Sequence, residues 1–168
     1  MQKITLVAAI DLDFGIGFKG HLPWHIKEDL KDFQAYTNNK PMIIGRKSFE
    51  SLGETPLKNR PTVVISQSKV YPHVPTTTNI AQALALFPAA DEIIIAGGTR
   101  VYTEALPICT HMRLTHIGRT FTCDTYFPTF DKHHFVITEQ KPLIWEAQPE
   151  CEIKVITYQQ IDIPLTKK

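Results

Sequence analysis

The sequence predicts an α/β fold: a single mainly parallel twisted sheet with a C-terminal antiparallel hairpin, flanked by about four helices. Three observations carry this. Short, continuous apolar runs at 4–10, 41–45, 62–65 and 92–96 lack the alternation of a half-exposed strand and read as strands covered on both faces. Segments of helical spacing lie between them, and strand alternating with helix is the pattern of a parallel sheet. Beyond Pro107 the apolar period falls to two, as in an antiparallel hairpin.

The first run meets Asp11 and Asp13 at once, so it reads as a core strand and not as the apolar centre of a signal segment. Ile26, Leu30 and Phe33 recur at i, i+4 and i+7 and predict the first helix. A short helix over 47–52 follows the second run, and Ala/Leu spacing predicts another over 80–87. A fourth helix follows the 92–96 run, over 100–106. The segments 112–117, 135–138 and 152–158 then alternate apolar with polar residues. The prolines fall between elements, among them Pro56, Pro61, Pro72, Pro75, Pro88, Pro107 and Pro128, and none interrupts a predicted helix.

At 168 residues and 43% hydrophobic content, the chain suits one domain spanning 1–168. Lys and Arg number 18 against 17 Asp and Glu, a net charge of +1, so global charge points to neither nucleic acid nor an anionic membrane. Any anionic ligand must be held by local charges. No apolar run approaches the roughly 20 residues that span a bilayer. Cys109, Cys123 and Cys151 are odd in number and lack metal-ligand spacing, which argues against a disulfide framework or a zinc site and fits a reducing cytoplasm. Adjacent His133 and His134 read as solvated residues and not ligands, so no metal is expected. Balanced charge on one domain makes a monomer the default.

The chemistry concentrates in three places. Leu22, Pro23, Trp24 and Asp29 lie in and just after a glycine-dotted loop that joins the first strand to the first helix. Asp29 shares its helix face with Leu30 and Phe33, and an acid in an apolar wall is a binding or proton-handling group. The competing reading puts Asp29 in the first turn for the helix dipole, a task Glu28 and Asp32 also serve. Second, the strand at 92–96 ends in Gly97-Gly98-Thr99-Arg100-Val101-Tyr102, where glycines let a phosphate approach a helix start, although they equally suit any tight strand-to-helix turn. Third, Gly45-Arg46-Lys47-Ser48 repeats the arrangement with two cations, which could also be ordinary surface charges. Ser66-Gln67-Ser68 adds polar groups at the same expected sheet edge. Neither GxGxxG after the first strand nor a Walker loop is present. Several anion-friendly strand ends beside one buried acid outline a reductase with a phosphorylated dinucleotide.

Together these residues resemble dihydrofolate reductase of the bacterial chromosomal type. Leu22-Pro23-Trp24, Asp29-Leu30, Phe33, Gly45-Arg46, Leu57 with Arg60, Ala96 to Tyr102, Leu114 to Ile117 and Asp124 to Pro128 occur in that family's order and spacing. The resemblance implies a dihydrofolate-reductase-like fold and reduction of 7,8-dihydrofolate to tetrahydrofolate by NADPH, supplying one-carbon metabolism and thymidylate synthesis. Hydride passes from nicotinamide C4 to pterin C6 while N5 gains a proton. Asp29 and Thr115 would bind the amino-pyrimidine edge of the pterin, whose N3-H and 2-amino group both donate. Burial should raise the pKa of Asp29, and a water would be the immediate proton donor.

By the same resemblance Leu22, Trp24, Asp29 and Thr115 form the catalytic group. Val7, Leu30, Phe33, Leu52, Leu57, Ala96 and Tyr102 would line the substrate, with Arg60 pairing the α-carboxylate of its glutamate tail. Ala9 from the first strand and Ile16, Gly17, Gly20 and His21 from the 15–24 lid would approach the cofactor, with Leu22 closing over it. Thr99, Arg100, Val101 and Tyr102 would contact it from beyond Gly97-Gly98, where the family carries a cis peptide. Arg46, Lys47, Ser48, Ser66 and Gln67 would hold its phosphates. Antifolate inhibitors would be ligands.

Leu22 replaces a frequent methionine, Gln34 a basic residue, and Ala96 a larger apolar residue, which implies a roomier pocket beside Ala96. No role attaches to Glu54 and Thr55 in the inserted stretch. A pyrimidine reductase of riboflavin synthesis would share the fold without the Leu-Pro-Trp and Asp29 signature. A silent pterin- or nucleotide-binding module is the alternative from another class.

Overall fold

The computed structural model describes residues 2–161, and the predicted domain's remaining residues, 1 and 162–168, lie outside them. In chain order the elements are β1 (Lys3–Ile10), β2 (Gly15–Gly17), α1 (Lys27–Thr37), β3 (Met42–Gly45), α2 (Arg46–Ser51), β4 (Thr62–Ile65), β5 (Thr76–Thr77), α3 (Ile80–Leu84), β6 (Glu92–Ile95), α4 (Thr99–Ala105), β7 (His111–Ile117), β8 (Thr125–Tyr126), β9 (Phe135–Leu143) and β10 (Ile153–Gln160). The main sheet runs β5-β4-β3-β6-β1-β7-β10-β9. It is parallel from β5 to β7, and β10 pairs antiparallel with both β7 and β9. This is the predicted sheet with its terminal hairpin and four helices. The residues of β3, β4 and β6 are all buried, the polar Thr62 and Glu92 at two strand starts together with the apolar runs that follow them.

The two faces differ. On one, Leu6, Ile10, Ile43, Val63, Ile93, Ile95, Met112 and Leu114 form the main core with residues of α3 and α4. On the other, Val7, Met42 and Ile94 pack with Phe33 and Tyr36 of α1, while Ile44 and Val64 pack with Phe49 of α2. After β1 the chain crosses to β3 and builds outward through β4 to β5, and β6 returns between β3 and β1. Ligand crevices in open α/β sheets form beyond the strand ends at such a reversal. The ends of β1, β3, β4, β6 and β7 therefore gather the lid, Arg46, Ser66, Gly97 and the segment after Ile117 along one edge.

Three short strands escape the sequence pattern. β2 pairs antiparallel with β8, stapling the lid to a segment more than a hundred residues away, and β5 adds two residues to the sheet edge. β9 extends beyond the predicted 135–138 to Leu143 and tolerates Pro142 because it is an edge strand. Among the described residues, no helix is long and apolar enough to cross a membrane. No three His, Cys, Asp or Glu side chains among them cluster to hold a metal ion.

Candidate active site

Asp29 stands in the first turn of α1 and is 8% exposed. Burial pushes its pKa up to about 6; the neighbouring Thr115 hydroxyl opposes the rise, Asp32 adds to it and Arg113 opposes it. The face around Asp29 is not the wholly apolar wall the spacing suggests. Ile26 precedes the helix and is buried, whereas Leu30 is 39% exposed; the buried positions of α1 are Asp29 and Thr37. Asp32 is no servant of the helix dipole. It lies beyond the first turn and is bound by Arg113 at 2.5 Å and Lys141 at 2.7 Å.

Four predicted substrate residues, Val7, Phe33, Leu57 and Ala96, meet in one apolar cluster with Met42, Ile94 and Tyr36. Leu22, Leu30 and Leu52 are apolar yet exposed, the condition of side chains available to an apolar ligand. Tyr102 is buried, and its hydroxyl donates to the Val7 carbonyl at 2.7 Å, so it supports the pocket wall and has its polar atom engaged. Arg60 is also buried. Its Nε donates to Thr37 Oγ1 at 2.9 Å and its Nη2 to the Gln34 carbonyl at 2.7 Å, while Nη1 donates to the Lys58 carbonyl. All three acceptors are neutral, leaving the guanidinium charge uncompensated by them.

Trp24 packs on Phe121, 5.1 Å between ring centroids, in a cluster that reaches Ala9 and Ile117. Its Nε1 is buried with no acceptor among the described residues, the state of a donor kept for a ligand or a water. Ala9 pairs in register with Thr115, so Trp24, Ala9, Thr115 and Asp29 form one neighbourhood.

The lid is built as a hairpin. Phe18 and His21 exchange backbone hydrogen bonds of 2.8 and 3.0 Å across Lys19 and Gly20, both at positive φ (49° and 81°). Gly17 and Ile16 lie at its base: Ile16 packs on the main core, and the Gly17 carbonyl accepts from Asp124 N at 2.8 Å. The Asp124 carboxylate accepts from Lys19 N at 2.9 Å. Asp11, unsuspected from sequence because nothing local marks it, is buried and holds the lid's root. Its carboxylate accepts from Gly15 N at 2.7 Å, Asp13 N at 2.8 Å and Phe121 N at 2.9 Å.

The glycines at the ends of β3 and β6 lie together. A Cβ on Gly45 would stand 3.1 Å from Val101 Cγ2 and 3.4 Å from the Gly97 carbonyl oxygen, and one on Gly98 would meet Ser48 Oγ at 3.1 Å. The Gly97-Gly98 peptide is cis. Gly45 and Gly98 are the N-caps of α2 and α4, and neither helix has a side-chain cap. Around this cleft Lys47 is exposed, while Arg46 is held by Glu50 at 3.1 Å; Glu50 also accepts from Tyr71 Oη at 2.7 Å. Ser66 Oγ accepts from Lys69 N, Gln67 donates to the Thr78 carbonyl, and Thr99 Oγ1 donates to the Tyr126 carbonyl at 2.8 Å. Arg100 lies 3.8 Å from Glu104. Sequence reasoning missed Glu50 as the partner of Arg46, although its i+4 spacing on a helix signals it.

A family model described as dihydrofolate reductase matches residues 3–160. The chain belongs to the dihydrofolate reductase family. A dihydrofolate reductase of Neisseria meningitidis serogroup A is 40% identical over 142 residues, covering 83% of this chain and 88% of that one. One from Neisseria gonorrhoeae is 39% identical over 137 residues, covering 80% and 85%. A solved dihydrofolate reductase from Enterococcus faecalis, complexed with NADP(H) and RAB-propyl, superposes with a TM-score of 0.87 at 29% identity, over 95% of this chain and 97% of that one.

Proposed function

We propose that this chain reduces 7,8-dihydrofolate to 5,6,7,8-tetrahydrofolate with NADPH, as a cytoplasmic monomer whose single domain spans 1–168. The observation that carries the reading is Asp29, a buried carboxyl with a pKa of about 6 beside the Thr115 hydroxyl, in a chain of the dihydrofolate reductase family. A carboxylate there accepts from the two donors on the amino-pyrimidine edge of the pterin, and Thr115 completes the set. Val7, Phe33, Leu57 and Ala96 bury the pterin and aminobenzoyl rings, with Leu30 and Leu52 at the rim. Arg60 presents its forked charge to the glutamate α-carboxylate.

The residues fit NADPH. Side chains at Gly45, Gly97 and Gly98 would crowd Val101, Tyr102 and Ser48, so the backbone there stays bare, and two helix starts without side-chain caps adjoin it. Arg46, Lys47, Ser48, Ser66 and Gln67 would hold the phosphates, including the 2′-phosphate. Thr99, Arg100, Val101 and Tyr102 would contact the dinucleotide, and Ala9, Ile16, Gly17, Gly20 and His21 would approach its nicotinamide. When bound, NADPH supplies the hydride delivered to C6. Asp29 keeps a proton to a higher pH than an exposed acid and raises the proton supply at N5, relayed by water. Trp24 Nε1, otherwise unpartnered, orients that water. Leu22 closes over the site and excludes bulk solvent. Antifolates that mimic the pterin edge bind the same acid.

Loss of NADPH absorbance on adding dihydrofolate tests the reading, and Asp29→Asn should bind NADPH normally while turning over dihydrofolate severely slowly near neutral pH. No consumption of NADPH by the parent protein would overturn the activity, and near-normal turnover by the variant would remove Asp29 from its role.

A further inference from the structure

Asp29 and Thr115 belong to a longer register between α1 and β7. Residues three apart on a helix share a face, and so do residues two apart on a strand. Asp32 thus stands beside Asp29 on α1, and Arg113 beside Thr115 on β7. These two meet as well: Arg113 Nη1 donates to Asp32 Oδ2 at 2.5 Å and Nη2 to Oδ1 at 3.3 Å, with side chains only 7% and 9% exposed. Across the hairpin, Thr115 pairs with Val155 and Val155 with Lys141, which puts Lys141 on the same face. Its Nζ reaches Asp32 Oδ1 at 2.7 Å. On the far side, the Arg113 guanidinium lies 4.3 Å from the Tyr36 ring centroid, and Tyr36 Oη donates to Glu92 Oε2 at 2.5 Å.

Recognition of a pterin does not require these charges. Burying an ion pair gains little over well-packed apolar side chains, so stability alone is a weak reason for one here. Their place, one helical turn from the acid, supplies another.

We propose that Asp32 and Arg113 are positioning residues, a charged rung that seats Asp29 against Thr115 and sets the field in which Asp29 works. The proposal deepens the dihydrofolate reductase reading and rests on it for the part Asp29 takes in turnover. The groups facing Asp29 are Asp32 from its own helix and Thr115 and Arg113 from β7. Lys141 of β9 faces Asp32, and Tyr36 and Glu92 lie beyond Arg113. Burial works against the charge on Asp32, yet hydrogen bonds from Arg113 and Lys141 hold its carboxyl below the usual carboxylate range. Asp29 therefore has a fixed anion and a fixed cation as neighbours, and the two act on it in opposite directions.

Carbon-13 NMR titration of the Asp29 carboxyl in the protein without substrate reads this field directly, and the pH profile of turnover reads its effect. Asp32→Asn should move the Asp29 titration to lower pH and Arg113→Met to higher pH, each on the order of one pH unit for charges this near. Lys141→Met, at a half-exposed position that leaves folding intact, should move it upward by less. Arg113→Lys should restore most of the loss. Turnover should shift along pH in the same directions, with KM for NADPH unchanged. A role in packing alone predicts no movement, or one sign in all variants, and either result overturns the rung. Opposite NMR shifts with an unmoved turnover profile would support the rung and overturn the part given to Asp29 in the reaction.

Discussion

Replacing Asp29 with Asn separates what this side chain costs the fold from what it gives the ligand. Burial raises its pKa from 3.8 to about 6 at 8% exposure. A raised value in the folded state means the folded protein binds the proton more tightly than the unfolded chain does. The resulting stability is present in full below the unfolded value and is lost as pH rises through about 6. A gap of roughly two units, at about 1.4 kcal/mol each, amounts to about 3 kcal/mol lost by neutral pH. Asparagine keeps the shape and cannot ionise, so the variant escapes that loss.

Urea unfolding of both proteins without ligand, from about pH 4 to about pH 8, measures the difference. The two stabilities should run nearly parallel above about pH 6 and close on each other between there and about pH 4. At neutral pH the variant should be the more stable by up to about 3 kcal/mol, or about 6–12 °C in Tm for a chain of this size. Turnover should meanwhile fall by about 10²- to 10⁴-fold, the usual reach of a positioned acid. A difference in stability that does not vary with pH, or a variant less stable than the parent at neutral pH, would refute the argument from burial.

Arg60→Leu should raise KM for dihydrofolate by about tenfold or more, the loss of one charge-assisted carboxylate contact, and leave a pterin without a glutamate tail unaffected; equal effects on both compounds would take Arg60 away from the tail. Arg46→Ala should lower the preference for NADPH over NADH by about tenfold, and an unchanged ratio of kcat/KM would place the 2′-phosphate elsewhere. Tyr102→Phe removes the 2.7 Å bond to the Val7 carbonyl. Leaving that buried acceptor short should cost about 1–3 kcal/mol in urea unfolding, and an unchanged midpoint would show that the bond contributes nothing.

Why Asp32 and Arg113 stay hidden in the sequence follows from the same physics that exposes the strands. A run such as 62–65 is legible because it is buried throughout and apolar after Thr62, so local composition marks it, and β4 occupies Thr62–Ile65. β2 and β8 are three and two residues long, too short for any period, and exist only because each pairs with the other. On α1 the apolar spacing finds the helix and places Ile26 and Phe33 on its covered side, but Leu30 is 39% exposed while Asp29 and Thr37 are buried. Part of that side is polar because β7 offers it Arg113 and Thr115 beside the apolar contacts of Phe33 and Tyr36, and which residue of β7 opposes which residue of α1 is a property of tertiary register. Proximity in sequence therefore ties Asp32 to the helix start, while proximity in space ties it to a cation 81 residues away. Asp29 itself is legible only through the ordered set of family residues around it, because a single acid in a first turn has an adequate local explanation in the helix dipole. Its burial weighs against that explanation: an acid placed for the dipole gains by being charged, whereas burial here opposes the charge.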